Sequence, residues 1–421
     1  MRLTSLLGAL VATALLSGPA LADTKLRVFV GGSGQRPDLM RKLFDQYQAK
    51  HPGVTIESET GGATSELQRQ YLSTVLNAKD STLDIYMVDI VNPAQYAGAG
   101  WLEPLNAYVG EPAAAMKSYL PAYAAANVID GKVAALPAFA DAMFMYYRKD
   151  LLEKHKIAEP KTWDELAAAA KKIQTAESAA GNPNLQGLSI QGAPIEGAVC
   201  TFLLPYWSQG KEFNDAGGRL TLDKGAAVKG LEQWLAMVDQ GVIKKNVAEV
   251  KTPDTVNEFK AGQVVFAINW GFAWDRFSED KDSKVVGKVG VMPLPAVAGG
   301  KSATCIGGWQ WAVSAFSKNK AEAAKLVQFL ASPEASKLLA VEGSLLPTSA
   351  AVYADPEVLK AVPWFKDAAA VVGAGRSRPQ SRDYGQVSDV IRTTTSAVLA
   401  RTKKADEGVA EIESRLRRVM R

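Results

Sequence analysis

Acidic side chains are the main candidates for chemistry in this sequence. Asp89 comes directly after the nearly all-apolar run 83–88. Asp141 precedes the aromatic run 143–147, and Glu196 precedes a glycine. A pair of carboxylates can hydrolyse a glycosidic bond, whereas a single carboxylate can accept hydrogen bonds from sugar hydroxyls. A helix cap or an exposed charge is the ordinary alternative for each residue, and the spacing leaves all of these uses open.

Tryptophan lies next to glycine in two short segments. Residues 270–274 read Trp-Gly-Phe-Ala-Trp, and residues 307–311 read Gly-Gly-Trp-Gln-Trp. Glycine lets backbone approach a ligand closely, and flat aromatic rings suit the flat, partly apolar face of a sugar. Burial in the core is the ordinary alternative for each ring, but two such segments in one chain favour a binding role.

Several kinds of catalytic site are not indicated. The two histidines, His51 and His155, lie in charged surroundings at predicted helix ends. A histidine-dependent triad or a histidine-rich metal site is therefore not expected. The segment 31–34 lacks both the spacing of a dinucleotide-binding motif and the lysine of a P-loop. The sequence predicts no cofactor and no metal.

The first 22 residues have the pattern of a secretory signal peptide. Arg2 supplies the positive charge, the run 6–16 is apolar, and Ala20-Leu21-Ala22 is a small-residue cleavage site. No later apolar run reaches about 18 residues, so we expect a soluble, exported protein cleaved after Ala22. Basic residues number 48 and acidic residues 44. This near balance does not favour nucleic acid as a partner.

Strands and helices alternate along the chain. Apolar strand patterns at 26–30, 54–56 and 83–88 are separated by amphipathic helix patterns, and a further strand pattern spans 264–268. This alternation predicts a parallel α/β layer. The chain is long for a single core, which predicts two domains. No long linker separates them, so we expect the chain to cross between them several times.

The chain has two cysteines, Cys200 and Cys305. In an oxidising compartment they could form a disulfide. Two buried, unpaired thiols are the alternative, and the sequence does not decide between them.

A series of short motifs runs through the chain after residue 22. The earlier ones are His51-Pro-Gly-Val54, Met87-Val-Asp89, Gly100-Trp-Leu-Glu-Pro-Leu105, Ala135-Leu-Pro137, Tyr146-Tyr-Arg-Lys-Asp-Leu-Leu152 and Thr162-Trp-Asp-Glu-Leu166. The later ones are Glu196-Gly-Ala-Val-Cys200, Asn269-Trp270, Lys288-Val-Gly-Val-Met-Pro-Leu-Pro295, Gly307-Gly-Trp309, Phe329-Leu-Ala-Ser-Pro-Glu334 and Arg378-Pro379. Their order resembles the extracellular solute-binding proteins (family 1) of ABC sugar importers, close to the trehalose- and maltose-binding branch.

This resemblance implies a two-lobed α/β fold, the periplasmic-binding-protein fold of maltose-binding proteins, with hinge crossovers. The lobes implied are 23–131 with 291–336, and 132–290 with 337–421. The hinge would pass near Gly131 and near 290–295. The lobes would close over a sugar, and the closed form would dock on the transmembrane subunits of an ABC permease. The resemblance thus implies a monomeric periplasmic binding protein that is not an enzyme.

Site residues carry over from this family by position. They are Trp270, Phe272, Gly308, Trp309, Asp89, Asp141, Arg378, Arg69 and Glu196. The rings would stack on the sugar, the carboxylates would accept its hydroxyls, and the arginines would reach it. Gly308 would offer a backbone contact, and Glu196 lies in the family's Glu-Gly element. Trp274 and Trp311 fall outside the matched positions, so we expect them in the core.

The sequence departs from the family pattern at two places. Phe272 occupies a position that is commonly tyrosine, and the loop 31–36 lacks the acidic residue that relatives often carry there. The ligand implied is an α-glucoside or disaccharide such as trehalose or maltose. A polyol or a glucosylated osmolyte is the alternative ligand, and an exported glycosidase that uses Asp89, Asp141 or Glu196 is the alternative function.

Overall fold

The computed structural model describes residues 24–215 and 218–420. The predicted signal peptide, residues 1–22, lies outside the described residues. Among the helices in these two ranges, none combines the length and the apolar character that a membrane crossing requires.

Eleven strands are present in the described ranges. They are β1 Thr24–Gly31, β2 Val54–Thr60, β3 Ile85–Asp89, β4 Val128–Ile129, β5 Lys132–Val133, β6 Leu136–Arg148, β7 Gln186–Ser189, β8 Val264–Trp270, β9 Val289–Met292, β10 Thr304–Val313 and β11 Gly375–Arg376. Nine of them form one sheet in the order β2-β1-β3-β10-β6-β8-β7, with β9 paired to β6 and β11 paired to β10. The hairpin β4-β5 stands apart from this sheet.

The helices lie before, between and after these strands. They are α1 Pro37–Lys50, α2 Ser65–Asn77, α3 Pro93–Gly98, α4 Asn106–Val109, α5 Pro112–Ala115, α6 Pro121–Ala126, α7 Lys149–Lys154, α8 Trp163–Ala179, α9 Glu196–Trp207, α10 Lys224–Asp239, α11 Thr252–Lys260, α12 Ala273–Ser278, α13 Lys320–Leu330, α14 Pro333–Gly343, α15 Ala350–Tyr353, α16 Pro356–Ala361, α17 Phe365–Gly373, α18 Tyr384–Leu399 and α19 Ala405–Val419. Short 3-10 turns span Ser33–Gln35 and Val247–Glu249.

The predicted strands are confirmed, with shifted ends. The patterns at 26–30, 54–56, 83–88 and 264–268 correspond to β1, β2, β3 and β8. β1 runs parallel to both β2 and β3, as the alternation with helices predicts. β10 instead runs antiparallel to β3 and to β6, so the sheet is mixed. Every residue of β3 is buried, because helices cover both faces of this part of the sheet.

Two long strands connect the two halves of the molecule. β6 pairs with β10 through its first half and with β8 and β9 through its second half. β10 pairs with β6 on one side and, at its far end, with β3 on the other. Each strand therefore passes from one half into the other, which gives the crossovers expected of two interwoven lobes.

The apolar side chains divide between these halves. One set, which we call the first core, packs around β1, β3, α1 and α13 and includes Leu43, Met87 and Leu326. The second core packs around β6, β8, α9 and α18 and includes Phe144 and Ile391. The predicted lobe boundaries remain a prediction. The packing itself places most of the buried apolar residues of 291–306, among them Val291 and Ile306, in the second core.

Cys200 and Cys305 form a disulfide with a Cα–Cα distance of 5.8 Å. Both residues are fully buried in the second core. The bond therefore joins α9 to the start of β10 within one core and does not tie the two lobes together.

Candidate ligand-binding site

A cavity of about 400 Å³ is lined by residues from both halves of the molecule. The loop after β1, the start of α2 and the end of β3 form one wall. The start of α9, α11 and the segment after β8 form the other. Eight of the nine predicted site residues line this cavity, and Arg69 is the exception. The structure thus brings the predicted residues together, while their contact with a ligand remains a prediction.

Strand register brings distant site residues to one face of the sheet. Trp309 of β10 pairs with Asp89 of β3, and Gly307 of β10 pairs with Asp141 of β6. Trp270 ends β8, which runs beside β6. Directly opposed residues in neighbouring strands have adjacent side chains. The aromatic and acidic candidates therefore meet at the point where β6 and β10 cross between the halves.

Two glycines make room for the aromatic wall. A Cβ on Gly307 would lie 2.6 Å from the ring of Trp270, so only glycine allows the ring to lie against the strand. Gly308 has a φ of +126°, and a Cβ there would lie 2.7 Å from the carbonyl oxygen of Phe139. Glycine at both positions lets backbone and ring pack closely at the cavity wall.

The two tryptophans expected in the core lie away from the cavity. Trp311 is fully buried in the first core. Trp274 is half-buried and stacks on Trp364 with a ring-centroid distance of 5.0 Å. By contrast, Trp270 and Trp309 are half-buried residues of the cavity wall. The four rings therefore divide into two wall residues and two residues that serve packing.

Arg378 connects the two sides of the cavity. Its Nη1 donates to Glu196 Oε1 and its Nη2 donates to Asp89 Oδ1, both at 2.8 Å. Its guanidinium carbon lies 5.6 Å from the ring centroid of Trp270. Burial favours the neutral form of Arg378, but Asp89, Tyr384 and Glu196 raise its pKa overall. The arginine therefore stays charged and holds Asp89 in place.

Protein groups already occupy the carboxylate of Glu196. Besides Arg378, it accepts hydrogen bonds from the Tyr384 hydroxyl and from Ser388 Oγ, and Arg69 Nη1 lies 3.6 Å from its Oε2. Burial would raise the pKa of Glu196, but Arg378, Arg69 and these hydroxyls hold the pKa below its ordinary value. Glu196 therefore supports Arg378, and Arg69 lies behind this pair outside the cavity lining.

Asp141 differs from the other two carboxylates. Its Oδ1 accepts from the backbone N–H groups of Gly271 at 2.6 Å and Ala142 at 2.8 Å. No donor of residues 24–215 or 218–420 reaches its Oδ2. Burial is the main reason that the pKa of Asp141 rises to about 7, and the nearby Asp89 adds to the rise. Asp141 thus offers an open acceptor that gains a proton near neutral pH.

Sequence reasoning missed several wall residues. On the first-core side they include Gln35 of the loop 31–36 and Gln68 of α2. Gln35 Oε1 accepts from the Gly32 N–H at 2.7 Å and from Gln68 Nε2 at 3.3 Å. Tyr384 and Ser388, which donate to Glu196 from outside the cavity lining, were also missed, because their spacing indicates only one face of a buried helix. A glutamine inside the glycine loop 31–36 was the available signal for the first pair.

Comparisons with known proteins cover most of the chain. A family model described as bacterial extracellular solute-binding protein matches residues 32–337. A probable ABC transporter-binding protein of Deinococcus radiodurans is 35% identical over 393 residues, covering 92% of this chain and 91% of its own. A mannitol-binding protein of Pseudomonas aeruginosa is 23% identical over 310 residues, covering 72% of this chain and 67% of its own.

The fold also matches a solved structure. The structure described as maltose-bound T. maritima MalE3 has a TM-score of 0.86 at 32% identity, covering 93% of this chain and 99% of its own. The predicted two-lobed, maltose-binding-protein-like α/β fold is therefore confirmed.

Proposed function

Because the chain belongs to the bacterial extracellular solute-binding proteins, we propose that it is the periplasmic substrate-binding component of a carbohydrate ABC importer. Its ligand in this proposal is an α-glucoside or disaccharide, such as trehalose or maltose, bound in the cavity between the lobes. The observation that carries this proposal is the composition of the cavity lining. It combines the rings of Trp270, Phe272 and Trp309 with the carboxylates of Asp89 and Asp141.

This arrangement suits a sugar for physical reasons. Ring faces bury the apolar face of a sugar, while a few polar groups fix its hydroxyls. Asp141 Oδ2 is open to accept a hydroxyl, and Asp89 is held in place by Arg378. A ligand that lacked the matching hydroxyl would leave a buried carboxylate unpaired, which costs about 1–3 kcal/mol or more. The cavity volume of about 400 Å³ lies near the small end of the range for ligand sites, which suits one or two sugar units.

The named ligands of relatives support two ligand classes. The T. maritima relative holds maltose, which favours a glucose disaccharide. The Pseudomonas aeruginosa relative is named for mannitol, which keeps a polyol or glucosylated osmolyte as the second candidate. Two observations on this chain also bear on that candidate. Phe272 offers no hydroxyl, and the loop 31–36, which lacks the acidic residue that relatives often carry there, contributes Gln35 to the cavity lining.

The carboxylate environment argues for binding without catalysis. Glycoside hydrolysis needs one carboxyl group as an acid and a second as a free nucleophile or base. Asp141 could hold a proton near neutral pH, but Asp89 and Glu196 are both engaged by Arg378. No second carboxylate among these three is free to act as the nucleophile or base. We therefore propose that the sugar is released chemically unchanged. Delivery to the permease by the monomeric, closed protein completes the proposal.

A ligand titration tests this function. Tryptophan fluorescence of the exported protein would be followed against trehalose, maltose, sucrose, mannitol and glucose, with the sugars analysed afterwards by chromatography. We expect a saturable change with at least one disaccharide and full recovery of that disaccharide. Release of glucose from a disaccharide would instead indicate a glycosidase. Saturation by mannitol alone would move the assignment to the polyol class.

A further inference from the structure

A buried ion pair joins the two sides of the cleft at its rim. Arg36 Nη1 lies 2.7 Å from Asp275 Oδ2, and the two residues are 239 positions apart in sequence. Their side chains are 10% and 12% exposed. Arg36 directly precedes α1 of the first core, whereas Asp275 lies in α12, whose Ala273 and Phe277 pack in the second core. The pair therefore bridges the lobes.

Neither partner lines the ligand cavity, but both adjoin residues that do. Gly34 lies two positions before Arg36, and Phe272 lies three positions before Asp275. A Cβ on Gly34 would lie 3.6 Å from the Phe272 ring, so these two wall residues face each other across the cleft. The ion pair thus lies directly behind the place where the two walls meet.

The arginine is held ready for this contact from its own side. Asp38 accepts from Arg36 Nε at 3.0 Å and from Nη2 at 2.8 Å, a two-point pairing that leaves Nη1 for Asp275. A guanidinium fixed in this way loses little conformational freedom when it forms the next bond. Separation of the lobes would part Asp275 from Arg36 and expose both side chains to solvent. The ion pair can therefore stabilise the closed arrangement but not the open one.

We propose that Arg36 and Asp275 are positioning residues that set ligand affinity by holding Phe272 against the loop 31–36, without touching the ligand. The inference rests on the proposed binding function. Ligand affinity falls in proportion to the fraction of protein that can adopt the closed, binding-competent arrangement. Loss of the pair would lower that fraction, so the apparent Kd would rise even though every cavity residue is intact.

The test compares Asp275→Asn, Arg36→Met and their double variant with a matched control. The control pair is Arg382 and Asp130, which also joins the two sides at 2.6 Å but whose side chains are 63% and 68% exposed. Calorimetric titration with trehalose and maltose gives the apparent Kd, and small-angle X-ray scattering of the ligand-free proteins gives their compactness. Thermal unfolding monitors the fold.

We expect Asp275→Asn to raise the apparent Kd about tenfold or more and to shift the scattering towards a more open protein. The double variant should be weakened by less than the sum of the single changes, because both remove the same contact. Asp130→Asn should change Kd by less than about twofold, as exposed pairs contribute little. Unchanged Kd and scattering in Asp275→Asn would overturn the inference, and so would an equal effect in the control.

The scattering arm separates this inference from the proposed function. If no sugar binds the wild-type protein, the function proposal fails, while the compactness of Asp275→Asn still decides the role of the ion pair. If a sugar binds equally well to the wild type and to Asp275→Asn, the function stands and the inference fails.

Discussion

Replacing Asp141 by asparagine should stabilise the ligand-free protein at neutral pH while weakening ligand binding. Burial raises the pKa of this carboxyl from its ordinary value of 3.8 to about 7. Asparagine keeps the acceptor oxygen that receives the Gly271 and Ala142 N–H groups, and its amide nitrogen would take the position of the open Oδ2. The change therefore removes a buried charge without removing its backbone hydrogen bonds.

The size and the sign of this change in stability follow from proton linkage. A carboxyl whose folded pKa is raised binds its proton more tightly in the folded state. This tighter proton binding stabilises the folded wild type fully below pH 3.8. The stabilisation declines as the pH rises and is lost above about pH 7. A difference of roughly three pKa units corresponds to about 4 kcal/mol. The free energy of unfolding of Asp141→Asn should thus exceed that of the wild type by up to about 4 kcal/mol at pH 8, and this difference should vanish towards pH 4.

Urea unfolding between pH 4 and pH 8 measures this difference. Asp84→Asn is the matched control, because Asp84 is also buried but accepts hydrogen bonds at both oxygens, from the Arg27 N–H and from the Ser317 hydroxyl. An amide there would place its NH2 group against a donor, so this control should lose stability. Parallel stability curves for the wild type and Asp141→Asn across this pH range would refute the reasoning.

The same substitution should weaken ligand binding, although it raises the stability of the ligand-free protein. A ligand hydroxyl donates to the ionised carboxylate, so wild-type affinity should rise as the pH increases from 5 to 8. Asp141→Asn should bind about 10- to 100-fold more weakly at pH 8, the loss typical of a charge-assisted hydrogen bond, and its affinity should not vary with pH in this range. Equal affinity of the two proteins at pH 8 would show that Asp141 does not contact the ligand.

The remaining predictions address the aromatic wall and the disulfide. Trp270→Ala should raise Kd tenfold or more in a fluorescence or calorimetric titration, whereas Trp274→Ala, a matched control stacked outside the cavity, should reduce the thermal midpoint and leave Kd nearly unchanged. Gly307→Ala should weaken binding several-fold, because its Cβ would displace the Trp270 ring; wild-type affinity would contradict this. Alanine at both Cys200 and Cys305 should destabilise the protein by roughly 4–5 kcal/mol in urea unfolding, since the bond spans 105 residues, with little change in Kd because it lies within one core.

The parts of the fold with a strong local signal were predictable from sequence. The apolar runs that became β1, β3 and β8 reflect burial on a sheet, and the capping box at Thr162, where Glu165 N–H donates to the threonine, begins α8 as its pattern indicates. The candidate aromatic and acidic residues also came from sequence, because the order of motifs resembles one family throughout. Their side-chain types alone predict a polar and aromatic site.

The tertiary structure alone decided how those residues interact. Arg378 contacts Glu196, 182 positions away in sequence, and Asp89, 289 positions away. No local sequence pattern predicts contacts between residues so far apart. These contacts give the three carboxylates different roles. Glu196 is fully engaged within the protein, Asp89 is held in place, and Asp141 keeps an open oxygen with a raised pKa, because desolvation and neighbouring charges depend on packing in three dimensions. The sequence thus determined which chemical groups are available, and the packing determined which of them are free to meet a ligand.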